Sequence, residues 1–493
     1  MIGRCAVSAH KRPRAALRAI VAVLLLTAVG HAGHAPLVPE PRTILLRDDE
    51  PDHLVIGTRR GGYFVTRDAG ATWSWMCEAG IGYDDEEVYP GALLPGGTLI
   101  VSTGFGGVAV SADGCGFTPW VPSEQPFVAD VRADPGSPGA VIALDAHTDG
   151  DAFVNRLWRS SDGAKSWQPL GAPFAPDALA SSFAISEQGE LYVGVAGAEG
   201  AELLRSADAA LSWQRSPLSM EPGVTPRVIG ARGAPGRSRV FVIADYAQAE
   251  GITIAGDRAL LSTDGGQTFA TLLEATGDLS SWALSANGER LAVGGHDDGI
   301  YLLQDAGSAS QGAVMTLVTS RRVHALAWSA QGRLYAAGHE ASDGFSVGVS
   351  DDDGRTFRGV FALCQVKAPL ACPTDTSVGT ECKSSGETGW DVRKEVAASD
   401  ACTATGELSD APPAGDPPVD VPGTDTHEPH EADGDAPPDE HSPASASRGD
   451  GSCAFMAAPF GSSTSLSVSF AMLVASLAAR RAGSRLRTET KRP

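Results

Sequence analysis

Seven aspartates, Asp68, Asp113, Asp162, Asp208, Asp264, Asp305 and Asp352, recur at intervals of 41 to 56 residues. Carboxylates so regularly placed could serve chemistry or structure. The chemistry would be glycoside hydrolysis, which needs two carboxyl groups roughly 5 to 9.5 Å apart. Their neighbours argue for structure. The fullest copy runs Ser262-Thr263-Asp264-Gly265-Gly266-Gln267-Thr268-Phe269, a pattern of Ser/Thr-x-Asp-x-Gly-x-Ser/Thr-aromatic. It returns from Thr66 to Trp73, Ser160 to Trp167, Ser206 to Trp213 and Ser350 to Phe357. A degenerate copy begins at Ser111, with Cys115 and Phe117 breaking the rule and Trp120 arriving late; the copy at Asp305 lacks its aromatic. A short carboxylate accepts backbone N–H bonds in a turn, and glycine supplies left-handed backbone. The expected role of all seven is to brace turns, and no catalytic residue is assigned.

Other reactive groups are sparse. Asp84, Asp85, Glu86 and Glu87 form one acidic run, and Asp297 and Asp298 adjoin His296. A run of like charges is ordinarily a solvated face; Ca²⁺ binding is the competing reading of the first run, and no other cofactor is expected. His324 and His339 stand alone in strand contexts and read as structural. No His/Cys metal spacing, Gly-x-Ser-x-Gly elbow or phosphate-cradling loop occurs. The net charge of −22 argues against nucleic acid and favours cationic partners.

The elements that would position these residues follow one grammar from about Arg42 to Leu363. An apolar run such as Ser281–Ser285, a turn, a second run such as Glu190–Gly194 and a third such as Gly62–Val65 lead into each aspartate turn. The aromatic after the turn opens a fourth strand. Four short strands per unit, seven units and no helical periodicity predict an all-β, seven-bladed propeller with four-stranded blades, spanning residues 36–363. A single blade cannot bury both faces, so the units must pack radially. Closure is expected from packing between blades, with no strand exchanged between the first and last.

On these motifs the chain resembles the Asp-box, or BNR, repeat propellers of the sialidase-like superfamily. The resemblance implies that each box lies on the hairpin between third and fourth strands, at the rim and away from the central channel. Sialidases of that superfamily carry an arginine triad, a Phe/Tyr-Arg-Ile-Pro segment, a Tyr/Glu pair and six blades. Here Arg42-Thr43-Ile44-Leu45 lacks the flanking residues and the proline. Asp-box xyloglucanases pair two seven-bladed propellers around a cleft, and this chain supplies one. Some BNR propellers resemble photosystem assembly proteins, a role to which the anchor described next is ill suited.

Residues 1–35 read as a secretory signal: basic Arg4, Lys11, Arg12, Arg14 and Arg18, an apolar run from Ala19, and small residues to Ala35. Export to an oxidising compartment makes the cysteines disulfide candidates. Cys364, Cys372, Cys382 and Cys402 suggest a stapled appendix over 364–402, and Cys77 and Cys115 a pair across neighbouring blades, with connectivity open. Residues 403–452 hold 12 acids and 9 prolines without an aromatic, an acidic linker expected to be disordered. Residues 453–493 contain Cys453, an uncharged stretch from Ala454 to Ala479 and an arginine cluster. That layout resembles the C-terminal sorting tails of surface proteins in myxobacteria and related bacteria; a plain membrane span is the alternative. The expected protein is a monomer displayed at the cell surface, binding an extracellular protein or glycan without catalysis, with a glycoside hydrolase as the second reading.

Overall fold

The computed structural model describes residues 39–390 except 84–88, 151, 221–222, 235, 247–255 and 384–389. It is a seven-bladed propeller of antiparallel sheets, each of four consecutive strands. The inner strands are Glu40–Leu46, Gly91–Leu93, Val128–Ala133, Ala178–Ile185, Val224–Arg232, Ser281–Leu284 and Ala325–Trp328. The second strands, among them Leu191–Gly197 and Arg239–Tyr246, are apolar on both faces because each blade is covered by a neighbour on either side. Apolar clusters accordingly lie between blades: Phe183 with Leu144 and Leu157, Phe241 with Leu291 and Leu303, Ile300 with Leu334. Among the described residues the helices are short, such as Glu78–Ile81 and Glu340–Asp343, and lie in connections. None is long and apolar enough to cross a membrane.

Because successive strands alternate in direction, the first-to-second and third-to-fourth turns share one face of the wheel. The second-to-third turns and the crossings between blades share the other. The aspartate turns fall on the first face. At Asp264, Oδ1 accepts from Thr268 N at 2.9 Å and from Ser262 Oγ at 2.8 Å, and Oδ2 accepts from Thr268 Oγ1 at 2.6 Å. Asp68, Asp162, Asp208 and Asp352 make the same bonds to their own turns. Donor hydroxyls and N–H groups hold the Asp162 and Asp208 carboxyls down to about 2, so both stay ionised. Asp113 binds Cys115 N and Ser111 Oγ instead, its turn having lost the second hydroxyl. Asp305 departs further: its own backbone is left-handed, and among the described residues its carboxylate makes no bond to its turn.

The two residues after each full-box aspartate are left-handed, including Gly265 and Gly266 at φ 74° and 89°. Ala69 and Ala209 occupy the first of these positions at 56° and 57°, both exposed. A left-handed alanine costs about 1–2 kcal/mol, partly offset because glycine loosens the unfolded chain. Ala69→Gly with Ala209→Gly should therefore raise stability by about 1 kcal/mol in urea titrations. Unchanged or lower stability would show that these turns carry no strain.

The ring is closed in an unexpected way. Each four-stranded sheet is built from its own consecutive strands, as packing-only closure requires. A further strand, Val366–Pro369, then leaves blade 7 and pairs in parallel with the outer strand of blade 1, Trp73–Met76. Cys372 and Cys382 of the appendix are stapled to the propeller and not to each other, and Cys77 does not pair with Cys115. Cys77 bonds Cys382 and Cys115 bonds Cys372, across 305 and 257 residues of sequence. The correction has a geometric cause. The parallel strand lays the appendix along the outer edge of blade 1, within reach of both blade cysteines. Cys364 is also disulfide-bonded. The segments holding Asp84, Asp85, Glu86, Glu87, Cys402 and Cys453 lie outside the described residues, as do the signal, linker and anchor regions.

Candidate functional site: the central channel and its mouth

The inner strands surround a cavity of about 690 Å³. Their inward edges lack a further strand, so their N–H and C=O groups need partners from side chains or water. Blades 3 to 5 supply side chains. Asp130 of blade 3 accepts from Phe183 N of blade 4 at 3.2 Å, and Ser182 Oγ of blade 4 accepts from Val228 N of blade 5 at 2.7 Å. Arg132 reaches from blade 3 to blade 5, donating to the carbonyls of Val228 and Ile229 at 3.1 and 3.3 Å while its Nε donates to Asp130. This lacing draws three inner strands together on one side of the channel.

The mouth opposite the aspartate turns is ringed by charge. Between blades 7 and 1, Arg42 donates to Glu40 at 2.7 Å and its Nη1 lies 3.4 Å from Nδ1 of His324, while His324 Nε2 sits 3.0 Å from Glu40. Burial, helped by Arg42, pushes the His324 imidazole down to about 4, so it is neutral at physiological pH. Burial opposes ionisation of Glu40, but the charge and hydrogen bond of Arg42, with Arg59, outweigh it and hold the carboxyl below its usual range. His324, expected to stand alone, instead lies in a cluster with Glu40 and Arg42. His296 stacks obliquely on it at 5.4 Å, on the turn that carries Asp297 and Asp298. Asp298 is tied to the crossing from blade 5 to blade 6, accepting from Thr276 N and Gly277 N at 2.9 and 2.8 Å. His339 caps a short helix by accepting from Asp343 N.

A second group sits between blades 5 and 6. Asp245, at the end of a second strand, binds Arg227 through Oδ2. Asp257 accepts from Tyr246 N at 2.8 Å through Oδ1 and from Leu279 N at 2.9 Å through Oδ2, so it braces a turn of blade 5 against the crossing into blade 6. Asp278 is the most exposed of the three. One oxygen of each lies within 4.8 Å of the others. Burial, reinforced by the Asp245 charge, pushes the Asp257 carboxyl up to about 8, and Asp278 is raised for the same reasons. Three carboxyl oxygens at this spacing can share a proton or, through their remaining lone pairs, face a divalent cation.

Sequence reasoning missed Glu40, Arg42, Arg132, Arg227, Asp245, Asp257 and Asp278. They sit on or beside strands of blades 1, 3 and 5 and on the crossing into blade 6, and no local motif marks them. The one available signal was positional: a charged residue in an otherwise apolar inner strand must face the channel.

No protein-family model matches the chain, and no curated protein matches it. Among solved structures it is similar to a GH74 enzyme from Niastella koreensis, at 14% identity over 64% of this chain with a TM-score of 0.36; the chain spans about 65% of that enzyme's length. It is also similar to hydrazine synthase from Kuenenia stuttgartiensis, at 13% identity over 65% of this chain and 98% of that one, TM-score 0.47. YCF48 from Cyanidioschyzon merolae aligns at 12% identity over 63% of this chain and 95% of that one, TM-score 0.36.

Proposed function

We propose that the chain is an exported, surface-displayed binding propeller that takes an extracellular ligand, a protein segment or glycan presenting positive charge, at the channel mouth. One observation carries this reading: four carboxylates in the cavity wall and around its mouth are already engaged. Glu40, Asp130 and Asp245 are each bound to an arginine, and Asp257 to two backbone N–H groups. Carboxylates held this way shape a site and select charge, but they are not free to pass protons to a substrate. The excess of acid over base in the chain favours a cationic partner. The signal sequence, acidic linker and C-terminal apolar stretch support display at the cell surface as a monomer, and neither nucleic acid nor a cofactor enters the reading.

Glycoside hydrolysis is the second reading, and one feature favours it. Asp257 holds its proton to about pH 8 while neighbouring Asp245 is paired with Arg227, and divergent environments of this kind separate a general acid from a base. The two readings separate on the full chain, tested against peptide and glycan arrays and for release of reducing sugar. Binding is expected to favour basic peptides or amine-bearing glycans, and Asp278→Asn should weaken it at least tenfold. Sugar release by the native chain that disappears in Asp278→Asn would replace the binding reading with the hydrolase.

A further inference from the structure

Six of the seven seams between blades are crossed by chain running from an outer strand to the next inner strand, whereas at the seam between blades 7 and 1 the chain passes only from the outer strand of one blade to the outer edge of the other. That seam is held from three sides. Inside, His324 of blade 7 faces Glu40 and Arg42 of blade 1 at the channel mouth. In the middle, Phe361 packs on Trp73 and Phe64 at 4.6 and 5.1 Å, and Trp73 Nε1 donates to Val360 O at 3.0 Å. Outside, the chain leaves blade 7, adds Val366–Pro369 to the edge of blade 1 and donates from Leu370 N to Trp75 O at 2.8 Å. It then reaches blade 2, where Val378 N donates to Cys115 O and Cys372 bonds Cys115, and turns back so that Cys382 bonds Cys77 of blade 1. Clasp and seam share one apolar cluster, which includes Trp75, Phe361, Val366, Val378 and Cys382.

We propose that residues 363–382 form a redox-controlled clasp that sets how firmly the ring, and with it the channel mouth, is shut. With both disulfides formed, blade 7 is covalently leashed to blades 1 and 2, and the seam reopens only against a tethered segment. Thiol exchange releases the leash. At each bridge one dithiol attacks a sulfur, the two cysteines leave as thiols and that dithiol departs as its own disulfide, so two dithiols pass four electrons and four protons to the two bridges. Exchange begins at Cys115–Cys372, because Cys77 and Cys382 are fully enclosed while Cys372 and Cys115 keep 5% and 8% of their surface. Once the clasp lifts, the edge of blade 1 loses its fifth strand and the seam loses its outer support. Glu40 and Arg42 can then part from His324, which removes one side of the mouth.

Amide hydrogen exchange on the full chain tests this without any ligand, so its result is independent of what the mouth binds. Oxidised protein is compared with protein treated with a dithiol and with Cys115→Ser/Cys372→Ser and Cys77→Ser/Cys382→Ser variants. Exchange should rise at least tenfold in residues 40–46, 325–328 and 358–361, with the laced inner strands 128–133, 178–185 and 224–232 unchanged. The Cys115→Ser/Cys372→Ser pair, which keeps the enclosed bridge, should show a smaller rise in the same strands. A rise confined to 366–382, no rise, or an equal loss of protection in every blade would each overturn the proposal. The last outcome includes a variant that fails to fold.

Discussion

Replacing Asn155 by alanine should cost about 4 kcal/mol, one of the largest losses available from a single polar side chain in this wheel. Asn155 lies on the third strand of blade 3 and is fully buried. Its Nδ2 donates to the carbonyls of Phe174, Ala175 and Ala178 at 3.1, 2.9 and 2.8 Å, and its Oδ1 accepts from Ala180 N at 2.8 Å. One side chain thus satisfies the backbone at the end of blade 3 and at the entry to blade 4. That crossing includes Ala175 at φ 44°, a left-handed alanine with no glycine to relieve it. Truncation takes the acceptor from Ala180 N and a donor from the three carbonyls, of which Ala175 O still accepts from Ala178 N; each group left unpaired costs roughly 1–3 kcal/mol, with water recovering part of the sum. The loss would be read as a fall in the urea midpoint at unchanged slope. Asn155→Asp is the sharper control, because it keeps the acceptor but turns a carboxylate toward the three carbonyls, and it should be at least as damaging. A loss under about 1 kcal/mol in both variants would mean that the crossing is held by something else.

Stability should also fall as pH rises from about 4 to 8, and Asp257→Asn should remove much of that dependence. The folded chain keeps a proton on Asp257 up to about pH 8, whereas the unfolded chain releases it near the ordinary aspartate value of 3.8. Between those values the folded state binds more protons, so its stability declines with pH by at most about 1.4 kcal/mol per unit for one proton. Coupling to Asp245 and Asp278 shares that proton, and a difference of roughly 2–4 kcal/mol between pH 5 and pH 8 is expected. Asparagine cannot ionise. At pH 5 the variant should match the native chain or be slightly weaker, since one backbone N–H loses its acceptor; at pH 9 it should be the more stable. Parallel stability curves for the two proteins from pH 5 to 9 would show that Asp257 carries no buried proton. The variant also bears on the mouth, because ionisation of Asp257 would set three carboxylates against one another where blade 5 meets blade 6.

The two residues mark different limits of legibility. Asn155 sits in Phe153-Val154-Asn155-Arg156-Leu157, where alternation puts a lone polar residue on the face of Phe153 and Leu157 without naming its partners. Those partners lie 19 to 25 residues on, in the crossing to blade 4 and the start of its inner strand. Asp257 follows a glycine in a stretch that reads as a loop, and the partners that raise it come from a strand end and from the next blade. The aspartate turns were legible because every bond they make lies within about four residues, so local sequence contains both donor and acceptor. Asp305 shows the same rule in reverse: without the hydroxyl partners, the carboxylate does not close the box.

Sequence alone determined the number of blades, the order of strands within each and the turns that join them. These depend on alternation and on contacts between near neighbours. It also marked the cysteines as disulfide candidates without choosing their partners. Tertiary structure decided the rest: which cysteines meet, how the last blade is fastened to the first, and which charges from separate blades gather at the channel mouth. Those outcomes depend on distances between residues hundreds of positions apart, and the winding of the whole ring sets such distances.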